Sequence, residues 1–478
     1  MLFNSFPFLF LFLPASLAVY FILGRLGAPR LANASLALAS LAFYGFWRYE
    51  PPGGGEPHRL YAYVALLCAS TAANYALGSV LQTGRRGGLL AAGIAANLAV
   101  LGWFKYSAFA ALTLNAWFHL HAPVPRVILP LAISFYTFTQ IAFLVDASRG
   151  LARELSFGRY CLFVFFFPHL IAGPIVHHSE IMPQFARPEA RRWSFASVAA
   201  ALCWLSIGLF KKVAIADAIA PLAGAVFAHA GQVTMIEAWA GALAYAFQIY
   251  FDFSGYSDMA IGLGLFFNIR LPDNFDAPYR ASDIVDFWRR WHMTLSRFLR
   301  DYVYIPLGGN RLGGFRRYLN LFLTMLLGGI WHGAGWLFLL WGAYHGALLV
   351  ICHLWRGLRK PLPEALARAL TFVAVLLGWV LFRAAGPPQA RQLLGAMVDL
   401  RSLRWDRWAS GMQPSHLAAL AGLLIFVNLA PTTKRWIETR ELTLGDAIQV
   451  GVLFSIGLLL MRDVALHLSQ SEFIYFQF

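Results

Sequence analysis

Hydrophobic stretches long enough to cross a lipid bilayer recur along the whole chain. A helix needs about 20 mostly apolar residues to span about 30 Å of hydrocarbon. Of the 478 residues, 59% are apolar and only 13% are charged, which is too few polar groups to coat a soluble protein of this size. The sequence therefore predicts an all-α integral membrane protein of about eleven spans. They lie at residues 7–24, 31–47, 60–81, 88–104, 128–145, 196–210, 236–267, 320–352, 366–382, 417–430 and 447–461.

The net charge of the chain is strongly positive, at +15. In a membrane protein such an excess marks cytoplasmic loops, so we expect membrane lipids rather than nucleic acid as partners. No Lys or Arg precedes the first span, whereas Arg25 and Arg30 follow it, so the N-terminus is expected outside. The same rule predicts further cytoplasmic arginines at positions 85, 86, 149, 153 and 159 and within residues 270–317.

The stretch 163–176, FVFFFPHLIAGPIV, is apolar but contains Pro168, Gly173 and Pro174. A full crossing here would put the arginines at 187, 191 and 192 outside. A re-entrant or broken helix avoids this, because irregular backbone is tolerated at membrane depth where protein buries it. No internal repeat, linker or soluble segment is visible elsewhere, so we expect one membrane-embedded domain over residues 1–478.

The longest polar interval covers residues 270–318 and holds nine arginines and five aspartates among aromatic residues. Asp283 is the expected N-cap of a helix of about 18 residues, about 27 Å long. Its apolar face carries Trp288 and Trp291, and its charged face carries Arg289 and Arg290. One interpretation is an amphipathic helix whose arginines contact anionic headgroups. The other is that these arginines also bind an anionic donor such as a coenzyme A thioester.

Ionisable side chains inside a membrane are costly and therefore suggest function. His332 lies in residues 328–336, GGIWHGAGW, within the apolar run 319–355, which contains no Lys, Arg, Asp or Glu. If that run is one helix from the cytoplasmic face, His332 lies about 20 Å along it. An imidazole can take a proton from a hydroxyl near neutral pH. The alternative is a histidine that only holds helices together through hydrogen bonds.

Other candidate residues give weaker signals. His292, in residues 287–296 (FWRRWHMTLS), is the second candidate, although an interfacial histidine is often an ordinary polar residue. His345 fits packing or a hydrogen-bond network. The adjacent pair His177 and His178 and four cysteines without ligand spacing do not predict a metal site, and no Gly-x-Ser-x-Gly, phosphate-loop or His-Glu-x-x-His motif is present. We expect no bound metal or cofactor.

Several motifs together resemble the membrane-bound O-acyltransferase (MBOAT) superfamily, in its bacterial alginate O-acetylation and teichoic-acid D-alanyl transfer branch. The likeness covers essentially the whole chain. The motifs are residues 167–175 (FPHLIAGPI), 250–260 (YFDFSGYSDMA), 274–279 (NFDAPY), 287–302 (FWRRWHMTLSRFLRDY), 330–346 (IWHGAGWLFLLWGAYHG) and 473–478 (FIYFQF).

The resemblance implies a polytopic fold of about eleven spans, with re-entrant and interfacial helices around a central tunnel. Its two catalytic positions correspond here to His332 and His292. From the residues themselves, we expect Arg289, Arg290, Trp291 and Trp331 to bind the substrate. The resemblance also implies passage of an acetyl group from cytoplasmic acetyl-CoA across the bacterial inner membrane. The acceptor is expected to be an exopolysaccharide such as alginate or cellulose, reached through a periplasmic hydrolase-like acetyltransferase partner.

Two alternatives stay open on the sequence. Within the same branch, the acyl group could be D-alanine and the acceptor teichoic acid. From another class, a lipid or polysaccharide transporter or flippase would also contain broken helices and buried polar residues. Against a transporter, no pair of interrupted spans occurs at corresponding positions of two halves, and the polar residues cluster in the second half.

Overall fold

The computed structural model describes residues 2–46, 48–49, 58–59, 61–84, 86–152, 156–405, 408–439, 443–467 and 473–474. The predicted cytoplasmic Arg85 and Arg153, and residues 475–478 of the closing aromatic motif, lie outside this set. Helices dominate the described residues, which confirms the all-α prediction. One exception is a two-residue antiparallel ladder in which Arg48–Tyr49 (β1) pairs with His58–Arg59 (β2).

The chain forms two compact units. Unit 1 contains Met1–Ser206 and Ser257–Pro272, and unit 2 contains Ile207–Tyr256 and Asp273–Phe478. The single domain expected from the sequence stays a prediction. The helices of unit 1 are α1 (Leu13–Arg25, continuing a π-helical turn at Phe8–Phe12), α2 (Pro29–Gly45), α3 (Tyr61–Leu81), α4 (Gly87–Phe118), α5 (Ile133–Ser148), α6 (Phe157–Phe165), α7 (Phe167–Leu170) and α8 (His178–Ala186), then a 3₁₀ turn at Pro188–Arg191.

Two long helices, α9 (Phe195–Phe210) and α11 (Met235–Phe266), contribute residues to both units. The remaining elements belong to unit 2. They are a π-helical turn at Lys211–Ala216, α10 (Asp217–Ala228), a 3₁₀ turn at Pro278–Arg280, α12 (Ile284–Arg290), α13 (Met293–Leu299), a π-helical turn at Arg300–Tyr304, α14 (Gly313–His332), α15 (Trp336–Gly357), α16 (Glu364–Arg383), α17 (Pro387–Ala396), a 3₁₀ turn at Leu400–Ser402, α18 (Pro414–Leu429), α19 (Thr433–Glu438) and α20 (Leu444–His467).

Seven helical stretches among the described residues are long and apolar enough to cross a membrane, so the chain is a multi-pass membrane protein. The figure of about eleven spans stays a prediction, because four of the predicted spans, which correspond to α2, α5, α11 and α18, are not among these seven stretches. The seven are Phe8–Arg25, Tyr61–Leu81, Gly87–Phe118, Phe195–Ala228, Trp336–Gly357, Glu364–Arg383 and Leu444–Arg462.

Helix α5 forms the centre of unit 1, and almost every one of its residues is buried. A polar network ties it to its neighbours α3 and α4. The Gln140 side chain of α5 accepts a hydrogen bond from Ser70 Oγ (3.0 Å) and another from Asn74 of α3. Asn74 also exchanges hydrogen bonds with Asn97 of α4, at 3.1 and 2.7 Å. Such interhelical hydrogen bonds hold membrane helices together because lipid cannot satisfy these amides.

The apolar stretch 163–176 does not form one continuous helix. Helix α6 ends before Phe166, the single turn α7 follows, and residues 171–177 are irregular and mostly buried up to the start of α8. A side-chain carbon on Gly173 would lie 2.8 Å from the carbonyl oxygen of Pro168, so the chain folds back closely on itself there. The broken helix predicted from Pro168, Gly173 and Pro174 is confirmed.

Candidate active site

His292 lies at a helix break in unit 2. Asp283 caps α12 as predicted, since its carboxylate accepts hydrogen bonds from the backbone N–H groups of Val285 and Asp286, both at 2.9 Å. The prediction of one helix of about 18 residues is wrong, because α12 ends at Arg290 and α13 begins at Met293. Between them His292 adopts a left-handed backbone conformation with φ 44°. For a residue with a β-carbon this conformation costs about 1–2 kcal/mol.

The break is stabilised by Asn274, which lies outside the predicted helix. The backbone carbonyl of Asn274 accepts a hydrogen bond from the Met293 N–H at 3.0 Å. Its side-chain oxygen lies 3.0 Å from His292 Nδ1 and accepts hydrogen bonds from the N–H and hydroxyl of Thr294, at 3.3 and 2.9 Å. A backbone N–H can only donate, so this Asn274 atom is the oxygen, and His292 Nδ1 must carry a proton. The lone pair of the ring is therefore on Nε2.

The His292 ring is held in an apolar environment. Phe253 packs edge-on against it with ring centroids 4.7 Å apart, and the side chain has no exposed surface. Burial lowers the pKa of His292 to about 3, so its imidazole is neutral at physiological pH. A neutral ring whose Nδ1 donates to Asn274 presents Nε2 as a hydrogen-bond acceptor.

His332 is the last residue of α14. Residues 319–355 do not form one helix, and the predicted span 320–352 is divided between two helices, because the backbone is extended at Gly333 and Gly335 and α15 starts at Trp336. The two helices therefore form a hairpin rather than a single rod. Glycines allow their close approach, since a side-chain carbon on Gly329 would lie 2.9 Å from Cα of Gly342, and one on Gly342 would lie 2.6 Å from the carbonyl oxygen of Met325. Only glycine fits such a crossing.

Aromatic rings surround the His332 imidazole, which is only 4% exposed. Its centroid lies 5.1 Å from that of Trp341 on α15 and 5.3 Å from that of Phe382 on α16, both in edge-to-face arrangements. Trp331 lies 4.9 Å from His332 and 6.3 Å from His292. A single indole thus contacts both candidate histidines, and the structure brings together two residues that are 40 positions apart in the sequence.

The other predicted substrate residues have different environments. Trp291 is 1% exposed, with its ring stacked 5.7 Å from Phe287 and tilted 4.8 Å from Trp379, so it supports the wall behind His292. Arg290 forms ion pairs with Asp286 at 2.9 Å and Asp276 at 3.9 Å. Arg289, one position earlier, is exposed at the surface of unit 2.

Helix α12 is fastened to the end of α15 by an ion pair between Asp283 and Arg356. Burial opposes ionisation of Asp283. The hydrogen bonds from Arg356 and from the backbone amides that it caps outweigh this effect, so the pKa of Asp283 lies below its ordinary value. The carboxylate is therefore charged at neutral pH, and it joins the helix next to His292 to the helix next to His332.

Several residues at the site were not singled out from the sequence. Asn274 stood in the NFDAPY motif but had no assigned role, and Phe382 closed a predicted span. His345 was expected to pack, and it does so, with its ring centroid 4.8 Å from Trp341 and 5.2 Å from Trp288. It thus lies behind the indole that contacts His332.

A buried ion-pair cluster in unit 2 was also missed. Lys212, in the π-helical turn, is 2% exposed and lies 2.7 Å from Asp217 and 2.6 Å from Asp252. Asp252 also accepts a hydrogen bond from the backbone N–H of Ile474 at 3.0 Å. Asp252 belongs to the YFDFSGYSDMA motif, and the next aromatic residue, Phe253, contacts His292. Buried charges of this kind persist only when paired.

Comparison with known proteins identifies the family. The model of MBOAT, the membrane-bound O-acyltransferase family, matches residues 127–382. A peptidoglycan O-acetyltransferase of Helicobacter pylori is 43% identical over an alignment of 437 positions, and the match covers 84% of this chain and 81% of the relative. A probable alginate O-acetylase of Pseudomonas putida is 38% identical over an alignment of 519 positions, and the match covers 100% of both chains. The chain belongs to the membrane-bound O-acyltransferase family.

A more distant relative is a teichoic acid D-alanyltransferase of Bacillus subtilis, 30% identical over 288 residues, with 55% of this chain and 70% of the relative covered. The predicted branch is therefore confirmed, and the protein is an O-acyltransferase. Family membership favours this activity over the transporter or flippase interpretation.

Proposed function

We propose that this protein takes an acetyl group from cytoplasmic acetyl-CoA and passes it across the bacterial inner membrane for O-acetylation of an exopolysaccharide. The observation that carries the proposal is the pair of buried imidazoles, His292 and His332, which both contact Trp331 in unit 2. Ionisable groups at such a position in a membrane enzyme are expected to take part in its chemistry. No bound cofactor is needed for the transfer.

His332 is proposed as the general base. It removes the proton from an acceptor hydroxyl, whose oxygen then attacks the thioester carbonyl carbon. A new C–O bond forms, the C–S bond breaks, and coenzyme A leaves as a thiolate that accepts a proton. Removal of the hydroxyl proton during attack makes the oxygen a stronger nucleophile, and a positioned base contributes about 100 to 10,000-fold. His292, with its lone pair on Nε2, orients the donor or relays the proton.

Donor binding is assigned to the arginine-rich interval 270–318, proposed to face the cytoplasm. Arg289 is exposed and free to meet a phosphate, whereas Arg290 supports the segment through Asp276 and Asp286. Arg289 is thus the better candidate for direct contact with the coenzyme A phosphates, because guanidinium groups match phosphate oxygens. Trp291 and Trp331 then shape the passage between donor and base.

The proposed acceptor is an exopolysaccharide such as alginate or cellulose, reached through a periplasmic hydrolase-like acetyltransferase. The probable alginate O-acetylase of Pseudomonas putida supports it, since it matches along the entire chain. The peptidoglycan O-acetyltransferase of Helicobacter pylori supports peptidoglycan, which also carries sugar hydroxyl groups, as a second possible acceptor. D-alanyl transfer to teichoic acid is less favoured, because the match to the teichoic acid D-alanyltransferase of Bacillus subtilis covers only 55% of this chain.

The test is reconstitution of the purified protein in liposomes with acetyl-CoA labelled in the acetyl group. We expect release of coenzyme A thiol and appearance of labelled acetyl on a hydroxyl acceptor, with activity lost in His332→Ala. A D-alanyl carrier thioester supplied instead is expected to give no transfer. If the wild type transferred D-alanine but not acetyl, the donor would be a D-alanyl thioester rather than acetyl-CoA. If it transferred neither group to any hydroxyl acceptor, the proposal would be contradicted.

A further inference from the structure

Three side chains of metal-ligating type converge in unit 1. Asp146 lies in the last turn of α5, His177 immediately precedes α8, and His178 is the first residue of α8. One ligand atom from each lies within 4.8 Å of the other two. The sequence suggested no metal site here, because Asp146 is 31 positions before the histidine pair and no spacing rule joins them.

The distances fit coordination better than hydrogen bonding. Asp146 Oδ2 lies 3.4 Å from His178 Nδ1 and 3.6 Å from His177 Nδ1. A good N–H···O hydrogen bond is about 2.9 Å long. In a tetrahedral zinc site with bonds of about 2.1 Å, neighbouring ligand atoms are about 3.4 Å apart. The two distances from the carboxylate therefore match those between ligands of one ion, and the third separation lies within 4.8 Å.

Burial gives independent support. His178 is 6% exposed and Asp146 is 5% exposed, and His178 Nδ1 has no hydrogen-bond partner within the described residues. The rings of Phe143 and Phe163 lie edge-on to the His178 imidazole, at 6.0 and 6.4 Å, so it is fixed with Nδ1 facing the carboxylate. A buried polar nitrogen in this position costs free energy unless something satisfies it.

We propose that Asp146, His177 and His178 bind one divalent transition-metal ion, for which zinc fits the ligand set and spacing best. Two neutral imidazoles and one carboxylate are common zinc ligands. The His177 side chain is 21% exposed, which leaves an approach for the ion and for water as a fourth ligand. The ion fastens the end of α5 to the start of α8 and so closes the irregular segment 171–177. The proposed acyl transfer does not use it.

The experiment is metal analysis of the full-length protein, purified in detergent with an affinity tag that contains no histidine. Inductively coupled plasma mass spectrometry is expected to find about one zinc per chain in the wild type. Asp146→Asn and His178→Gln are each expected to lose most of it. The matched control is Glu180→Gln, an exposed carboxylate two residues after the pair, which is expected to keep the metal.

Chelation separates metal loss from misfolding. A membrane-permeant chelator is expected to lower the melting temperature of the wild type and of Glu180→Gln, and to leave that of His178→Gln unchanged. If His178→Gln does not fold, X-ray absorption spectroscopy of the zinc-loaded wild type identifies the ligands of the ion, and we expect nitrogen and oxygen. Sulfur ligands at about 2.3 Å would assign the zinc to cysteines and overturn the site. A wild-type protein that remains free of metal after dialysis against zinc would also overturn the proposed site.

Discussion

The helix breaks at His292 and at His332 are built differently. At His292, a residue with left-handed backbone is fixed by two hydrogen bonds that Asn274 accepts, one at its backbone carbonyl from the Met293 N–H and one at its side-chain oxygen from His292 Nδ1. At His332, the helix simply ends before an extended Gly333, and the ring is held by Trp341 and Phe382. Hydrogen bonds fix one ring nitrogen of His292 and hence its tautomer, whereas aromatic packing fixes the plane of the His332 ring. This difference agrees with the proposed roles, in which His292 orients the donor and His332 acts as the base.

The largest effect is expected from His332. His332→Ala or His332→Gln should reduce acetyl transfer by about 100 to 10,000-fold, because the base is removed. If the histidine only joined helices, activity would instead fall in proportion to the amount of protein in the membrane, since such a hydrogen bond is worth about 0.6 kcal/mol. Immunoblotting of membranes and acetyl analysis of the polymer on the same samples distinguish the two. Wild-type acetylation by a normally inserted His332→Ala protein would remove the catalytic assignment.

An intermediate effect is expected at His292. His292→Ala and Asn274→Ala should each reduce kcat by about 10 to 100-fold, because displacing a reacting group by about 1 Å can lower the rate by this factor. Since Asn274 acts through His292, the double variant should be little worse than either single one. Asn274→Asp keeps an acceptor oxygen and should recover part of the activity. Additive losses in the double variant would show that Asn274 does not act by positioning His292.

The smallest effect is expected from the surface arginine. Arg289→Gln should raise the KM for acetyl-CoA by up to about fivefold with little change in kcat, as for the loss of one exposed charge contact of about 1 kcal/mol. Salt should weaken donor binding by the wild type more than by the variant. Arg290→Gln is the matched control, and it should lower protein stability rather than donor affinity. An unchanged KM in Arg289→Gln would leave this arginine a lipid contact only.

Much of the local structure could be predicted because its causes are local. The apolar stretches, the Asp283 cap and the break around Pro168 and Gly173 follow from residues within one or two turns. The break at His292 could not be predicted, because Asn274 stabilises it from 18 positions away and the local pattern favours a continuous amphipathic helix. The hairpin at Gly333 and Gly335 was within reach, but glycines in an apolar run also suit close packing of one straight helix.

The site shows the same limit. His332 and His292 could be selected because imidazoles in apolar or aromatic surroundings stand out from the sequence. Their approach to one indole could not, since it depends on how α12, α14, α15 and α16 pack. The same holds for Lys212 with Asp252, and for Asp146 with His178, whose partners are brought together only by tertiary structure. The ion pair of Arg290 with Asp286 is different, because the two residues are four positions apart on one helix and the pair was within reach of sequence analysis.

The positions of the two histidines relative to their helices carry an electrostatic consequence. His332 is the C-terminal residue of α14, whereas His292 is the residue immediately before α13. Peptide dipoles leave partial negative charge at the C-terminus of a helix and partial positive charge at its N-terminus. The field of α14 thus favours an imidazolium at His332, in keeping with its proposed role as the base. At His292 the field of α13 opposes one, and the C-terminal end of α12 at Arg290 partly offsets that effect. Helix polarity thus adds to the difference between the two rings and supports His332 as the proposed acceptor of the proton.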